Sequence, residues 1–197
     1  MQLFYSAGSP YVRKVTVSAA LRGLEDRIQR IDTNPHVSPP ELLSRNPLSK
    51  VPCLLTVEGM ALYDSRVICE YLDGFGTHRG LFPPQGPERT AVLVMQALGD
   101  GIMDACVARR MQQAFPQDEG RQKLGGRAKA AVGRALDVLE AQPPAGLHDI
   151  GAVSVACALG YLDFRFSDEP WRDGRPKLAA WFAEVSAHEA MASTVPA

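Results

Sequence analysis

The sequence carries almost no surplus of charge: 21 Lys and Arg against 22 Asp and Glu leave a formal net charge of −1 over 197 residues. That balance supplies no basic face for a phosphate backbone or an anionic lipid surface, so neither nucleic acid nor membrane is expected as a partner. The start, Met1-Gln2-Leu3-Phe4-Tyr5, lacks the basic n-region and apolar stretch of a signal peptide, and no run nears the ~20 apolar residues that span a bilayer. A soluble, cytoplasmic protein is the expectation. Cysteine is scarce and unpatterned. Cys53, Cys69, Cys106 and Cys157 lie far apart, with no CxxC and no Cys/His ligand spacing, which predicts reduced, buried thiols and no metal site. The histidines have no triad or metal partner at an informative spacing, and internal repeats and low-complexity tracts are absent. What remains is a chain long enough for a sizeable core, as one domain or two small ones.

What the sequence does have is one dense stretch, Asn46-Pro47-Leu48-Ser49-Lys50-Val51-Pro52-Cys53-Leu54-Leu55, followed by Tyr63-Asp64-Ser65-Arg66. Pro52 has no N–H to give a sheet, so it marks the start of a strand over Cys53-Leu54-Leu55. The Val51–Pro52 bond admits either isomer. A cis bond would turn the N–H and C=O of Val51 outward to pair with a peptide-like ligand as an added strand, whereas a trans bond only stops an edge strand. Glu58-Gly59-Met60 reads as a turn and Ala61-Leu62-Tyr63 as the returning strand. Val67, Ile68, Tyr71, Leu72 and Phe75 then recur at helical spacing behind a cap at Asp64 or Ser65. The free N–H groups and positive dipole end of that helix suit a carboxylate, and Asp64 suits an ammonium group, so one spot matches an amino-acid head group.

Around this stretch the elements alternate. Leu3-Phe4-Tyr5 is a strand; Ser9-Pro10 is a helix-start pair, with the helix running to about Arg22 and stopping at Gly23. Arg27-Ile28-Gln29-Arg30-Ile31 alternates as a second strand, and Pro39 or Pro40 opens a short helix through Leu43. The Gly- and Pro-rich segment that follows the hairpin and its helix has the composition of a linker. Beyond it the periodicity is helical throughout. Ala91, Met95, Leu98, Ile102 and Cys106 form one face, and Ala128, Val132, Ala135, Leu136 and Leu139 another. A helix over Val153 to Asp163 is apolar nearly all round, which predicts a place in the middle of a bundle. The last helix runs from Lys177 to about His188.

An X-Pro clamp followed by Asp-Ser at a helix start resembles the glutathione site of cytosolic glutathione transferases. The likeness extends over essentially the full chain, and Ala156-Cys157-Ala158-Leu159-Gly160-Tyr161-Leu162 is especially similar to small bacterial members. The resemblance implies an α/β thioredoxin-like glutathione-binding domain over 1–75 in βαβαββα order, a linker over 76–87 and an all-α bundle over 88–197. It implies that Val51 beside a cis Pro52 pairs with the cysteinyl backbone of glutathione, that Asp64 and Ser65 hold the γ-glutamyl end, and that Lys50 and Arg66 are flanking cations. Ser9-Pro10-Tyr11-Val12-Arg13 matches the Ser-Pro-x-x-Arg pattern of serine-type transferases, in which the hydroxyl supports the thiolate. Read from the residues alone, Ser9 is an N-cap, Tyr5 is a strand residue that also matches the position used by tyrosine-type members, and Ser6 is a turn residue. Asp100, flanked by Gly99 and Gly101, resembles the acidic residue that reaches across a homodimer to the γ-glutamyl amine, with Asp104 one turn on as its competitor. One departure is visible: a reciprocal Ser/Thr-x-x-Asp box has Asp149 at its first position but Ala152 at its last, an expected loss of ~1 kcal/mol of stability.

The implied activity is transfer of glutathione, a co-substrate needing no metal, to an apolar electrophile in detoxification. Met103, Val107, Arg110, Met111 and Phe115 are the candidate lining for that electrophile, although a Met-rich helix is more often core. The alternative is a non-catalytic relative that keeps the fold as a protein-interaction module.

Overall fold

A computed structural model describes residues 1–196. Two compact units emerge: residues 1–84 together with 189–196, and residues 85–188. The first is built on a four-stranded sheet in the order β2-β1-β3-β4, where β1 is Gln2–Tyr5, β2 Gln29–Asp32, β3 Cys53–Leu55 and β4 Ala61–Leu62. β1 and β2 are parallel, and β3 pairs antiparallel with both β1 and β4. Because side chains alternate across a strand, the Leu3–Leu54 pair lies on one face and the Phe4–Cys53 pair on the other. Both pairs are buried, which fixes the register.

The helices of this unit start and stop where short-range chemistry dictates. α1 (Pro10–Leu21) begins at the Ser9 cap with Pro10 in its first position. It ends in a Schellman motif: Gly23, at φ +67°, donates to the Ala20 carbonyl at 3.0 Å, and Leu24 donates to Ala19 at 2.9 Å. The left-handed conformation is why glycine stands there. α2 (Pro40–Leu43) buries Leu42, and α3 (Ser65–Asp73) buries Ile68, Cys69 and Leu72 and packs beside α1.

The boundaries differ from those expected at 75, 87 and 88. Residues 76–84 belong to the first unit, because Arg22 and Asp73 tie them down. Arg22 Nε lies 3.0 Å from an Asp73 carboxylate oxygen, while Nη2 donates to the carbonyls of Asp73 at 2.8 Å and Gly76 at 2.9 Å. The same carboxylate accepts from the N–H groups of Leu81 at 2.7 Å and Phe82 at 3.3 Å. A side chain at Gly76 would strike Arg22 at 2.5 Å. This Gly- and Pro-rich segment is therefore held by a buried ion pair. The chain also returns at its end: α8 (Glu189–Ala192) packs on α1 in the first unit.

The second unit consists of α4 (Gly86–Gln112), α5 (Glu119–Ala141), α6 (Ile150–Arg165) and α7 (Pro176–Ser186). Every residue of α6 from Ile150 to Leu162 is buried, as an apolar circumference requires. Asp149 caps it by accepting from Ala152 N–H at 2.9 Å, so it starts three residues before Val153. α4 lies along α6 and α5. Its buried side begins later than expected, with Ala91 exposed and Ile102, Met103 and Cys106 inside. By length and composition α4 could cross a bilayer, contrary to the sequence expectation that no run was long enough; here it is a partner of α6. Two glycines let these helices approach. A Cβ on Gly99 would sit 2.6 Å from the Ser154 carbonyl carbon, and one on Gly151 2.7 Å from Met95 Cβ. α7 has no cap of its own, and Glu140 of α5 accepts from the N–H groups of Lys177 at 3.3 Å and Leu178 at 2.8 Å. In the loop after α6, Glu169 pairs with Arg109 and with Lys129 at 3.4 Å. Burial opposes its ionisation, but the hydrogen bond and charge of Arg109, aided by Lys129, hold its carboxyl below the usual range.

Candidate functional site

The loop before Pro52 is organised by Asn46, which is 1 % exposed. Its side-chain oxygen accepts from Leu48 N–H at 3.0 Å and its side-chain nitrogen donates to the Lys50 carbonyl at 2.8 Å. Ser49 N–H closes the turn on the Asn46 carbonyl at 2.9 Å. Ser49 is left-handed at φ +50°, as is Ser38 at φ +47°. The Ser49 hydroxyl donates to the Ser38 hydroxyl at 2.9 Å, joining the two loops. Backbone and side-chain amides thus set the path of the chain into Val51.

The Val51–Pro52 bond is cis, as is Tyr63–Asp64. Val51 is 9 % exposed, and among the described residues neither its N–H nor its C=O has a hydrogen-bond partner. Buried backbone groups are nearly always paired, so this residue presents a donor and an acceptor at the entry to β3. Its side chain packs in one cluster with Phe4, Val12, Leu42 and Cys53, and Tyr5, Ala61 and Tyr63 lie against the same cluster. That cluster draws three separate segments together: the first turn of α1 through Val12, the clamp through Val51, and the approach to α3 through Tyr63.

At the start of α3, Asp64 is the cap and accepts from Arg66 N–H at 3.0 Å. One bond leaves most of the acceptor capacity of an exposed carboxylate unused. Ser65 is 2 % exposed, and its hydroxyl has no hydrogen-bond partner among the described residues. Lys50 and Arg66 are both exposed.

At the start of α1, Ser9 Oγ accepts from Val12 N–H at a long 3.4 Å, and the Ser9 carbonyl accepts from Arg13 N–H at 3.0 Å. Capping uses the oxygen lone pair and leaves the hydroxyl proton to donate, so the capping role and a thiolate-supporting role are compatible. Ser6 is the turn residue, its carbonyl accepting from Ser9 N–H at 3.1 Å. The Tyr5 ring has the Arg30 guanidinium 5.4 Å from its centroid. Cys53 sits in the cluster, but burial pushes its thiol up to about 11, which removes it as a nucleophile. All four cysteines are buried, and none is in a disulfide.

Asp100 belongs to the second unit. It lies in α4 at 1 % exposure, while Asp104 is exposed. The glycine before it serves helix packing. Of the candidate electrophile lining, Met103 is fully buried core, whereas Arg110, Met111 and Phe115 are exposed. Sequence reasoning named Asn46 and Arg13 only as parts of motifs and assigned them no role. The Asn46-Pro47 turn pair was the one available signal for Asn46.

Comparison with known proteins agrees with this geometry. Residues 8–74 match the glutathione S-transferase N-terminal domain, and residues 105–184 the glutathione S-transferase C-terminal domain. The chain is 32 % identical over 201 residues to YibF of Escherichia coli K12, an uncharacterized GST-like protein, covering 100 % of this chain and 98 % of that one. It superposes with a TM-score of 0.92 on a glutathione transferase family member from Pseudomonas fluorescens Pf-5 with bound glutathione, at 42 % identity over 100 % of this chain and 98 % of the other. A glutathione S-transferase from Methylobacillus flagellatus KT, also with glutathione bound, gives 0.89 at 32 % identity, covering 100 % and 99 %. With the clamp loop, the capped α3 and the Ser9 helix start all present in a thioredoxin-like unit followed by a helical one, this chain belongs to the glutathione S-transferase family.

Proposed function

We propose that this protein is a glutathione transferase: it binds glutathione, stabilises its thiolate and conjugates it to an apolar electrophile, as a cytoplasmic homodimer. The observation that carries the reading is the unpartnered N–H and C=O of Val51 on a loop fixed by Asn46. A peptide-like ligand pairs there by adding a short strand. Asp64 and Ser65 then receive the ammonium and carboxylate of the γ-glutamyl group, with Lys50 and Arg66 neutralising carboxylates. For action across the homodimer, the exposed Asp104 suits a reach to a second copy better than Asp100, whose carboxylate is enclosed.

The chemical task is acidity. A thiol with a pKa near 8.5 is only a few per cent ionised at neutral pH, and lowering that value by ~2 units takes about 2.7 kcal/mol of selective thiolate stabilisation. A hydroxyl hydrogen bond from Ser9 together with the N–H groups and dipole of the α1 start is of that size. The thiolate then attacks the electrophile, forming the C–S bond as the leaving group departs or a double bond accepts the electron pair.

The test has two stages. Retention on immobilised glutathione, with elution by free glutathione, establishes binding; a protein that flows through would instead match the non-catalytic interaction module. Ultraviolet thiolate absorbance of the bound complex against pH then separates the activating groups. Ser9→Ala is expected to raise the bound thiol pKa and slow conjugation to a chromogenic aryl halide with little change in affinity, while Tyr5→Phe changes neither. A shift in Tyr5→Phe with none in Ser9→Ala transfers the role to Tyr5.

A further inference from the structure

The Ser-Pro-x-x-Arg pattern ends in an arginine that the site itself does not use. Arg13 is 7 % exposed, inside the unit, on the first turns of α1. Its Nη2 donates to the carbonyl of Met191 at 3.0 Å, a buried bond between residues 178 apart in the chain. Among the described residues this is the guanidinium's one hydrogen bond, and its Nε is buried without a partner. Met191 belongs to α8, where it is 1 % exposed and Ala190 4 %.

We propose that residues 189–196 form a clasp on the start of α1, and that Arg13 is the positioning residue through which the clasp holds Ser9. The inference rests on the reading of Ser9 given above. A guanidinium cannot shed its charge, and a buried charge needs a partner. Here the partner is a carbonyl in the last turn of a short helix, which also accepts from Thr194 N–H at 3.4 Å and the Thr194 hydroxyl at 3.3 Å, and for which, among the described residues, Arg13 is the nearest donor and the one charged donor. If the clasp leaves, Arg13 loses this carbonyl and its cover together, and the first turns of α1 lose the tie that fixes them to α8. The backbone N–H of that same residue closes the turn on the Ser9 carbonyl, and Val12 N–H rests on the Ser9 hydroxyl. A shift at Arg13 is therefore a shift of the cap. The far end of the chain tunes thiol acidity without touching glutathione.

The experiment uses the full chain with Met191→Asn, which unseats α8 without adding charge, and Arg13→Met, which keeps the length and removes the donors. Each is titrated for bound-thiolate absorbance, alone, combined, and in a Ser9→Ala background. Either single variant is expected to raise the bound thiol pKa by about one unit, a tenfold loss of thiolate at fixed low pH. Glutathione Kd should stay within about twofold, and kcat should fall with KM nearly constant. The combined variant should be no worse than either single one, and the Ser9→Ala background should show no further rise. Arg13→Lys, which keeps the charge on a single-point donor, should give a smaller rise of the same kind and serves if a stronger variant does not fold. An unchanged titration in a folded variant, or an equal rise without Ser9, overturns the clasp alone. Wild-type protein whose bound thiol titrates at the free value overturns the Ser9 reading and the clasp with it.

Discussion

Asn46→Ala tests how much the clamp depends on one buried amide. At 1 % exposure Asn46 makes two side-chain hydrogen bonds, from Leu48 N–H at 3.0 Å and to the Lys50 carbonyl at 2.8 Å. Each is worth about 0.5–1.5 kcal/mol net, and a group left unsatisfied inside loses more. Leu48 and Lys50 are exposed residues, so water can replace part of what is removed, which places the total at about 1–3 kcal/mol. The loss falls on the residues leading into Val51, so the glutathione site should feel it. With at least ~1 kcal/mol of preorganisation gone, affinity should drop about fivefold or more. Asn46→Asp sharpens the test. It keeps the acceptor for Leu48 N–H but sets a carboxylate oxygen against the Lys50 carbonyl, so it should bind more weakly than wild type while retaining one of the two bonds. Isothermal calorimetry with glutathione and urea denaturation on the same preparations give both quantities. Wild-type affinity in Asn46→Ala, with stability lowered as calculated, would refute the link between this amide and the clamp.

Two further outcomes follow from packing and titration. Gly99→Ala should destabilise by about 1–2 kcal/mol, since overpacking against the Ser154–Val155 backbone at 2.6–2.7 Å outweighs the ~1 kcal/mol helix preference for alanine; Gly101→Ala, with nothing within 4 Å, should stabilise by up to ~1 kcal/mol, and urea melts in which both changes share a sign would contradict this account. Burial pushes the Cys53 and Cys106 thiols up to about 11 and about 12 from an ordinary value of 9.0. Above pH 9 the unfolded chain therefore releases these protons while the folded chain keeps them, so their contribution is fully present below pH 9 and is lost as pH rises through 11 to 12. Stability measured from pH 8 to pH 11 should fall less steeply in a Cys53→Ala, Cys106→Ala protein than in wild type, and parallel slopes would remove the thiols from the explanation.

The sequence by itself determined what depends on neighbours a few residues apart. Ser9-Pro10 and Gly23 bounded α1, the Asp64-Ser65 pair opened α3, Asp149 capped α6 and Pro52 opened β3, because caps and proline act through N–H groups within one turn. The all-apolar α6 was legible as a central helix for the same reason, a period written in consecutive residues. The isomer at Val51–Pro52 was open, since local preference separates the two forms by only about 0.5–1 kcal/mol. Tertiary structure alone decided that Gly99 serves a helix crossing, not the aspartate beside it. It also decided that a Gly- and Pro-rich segment is pinned by Arg22 and Asp73, and that Arg13 meets Met191. In each case the partner lies tens of residues or more away, and a buried charge or a missing Cβ signals that something packs there without signalling what.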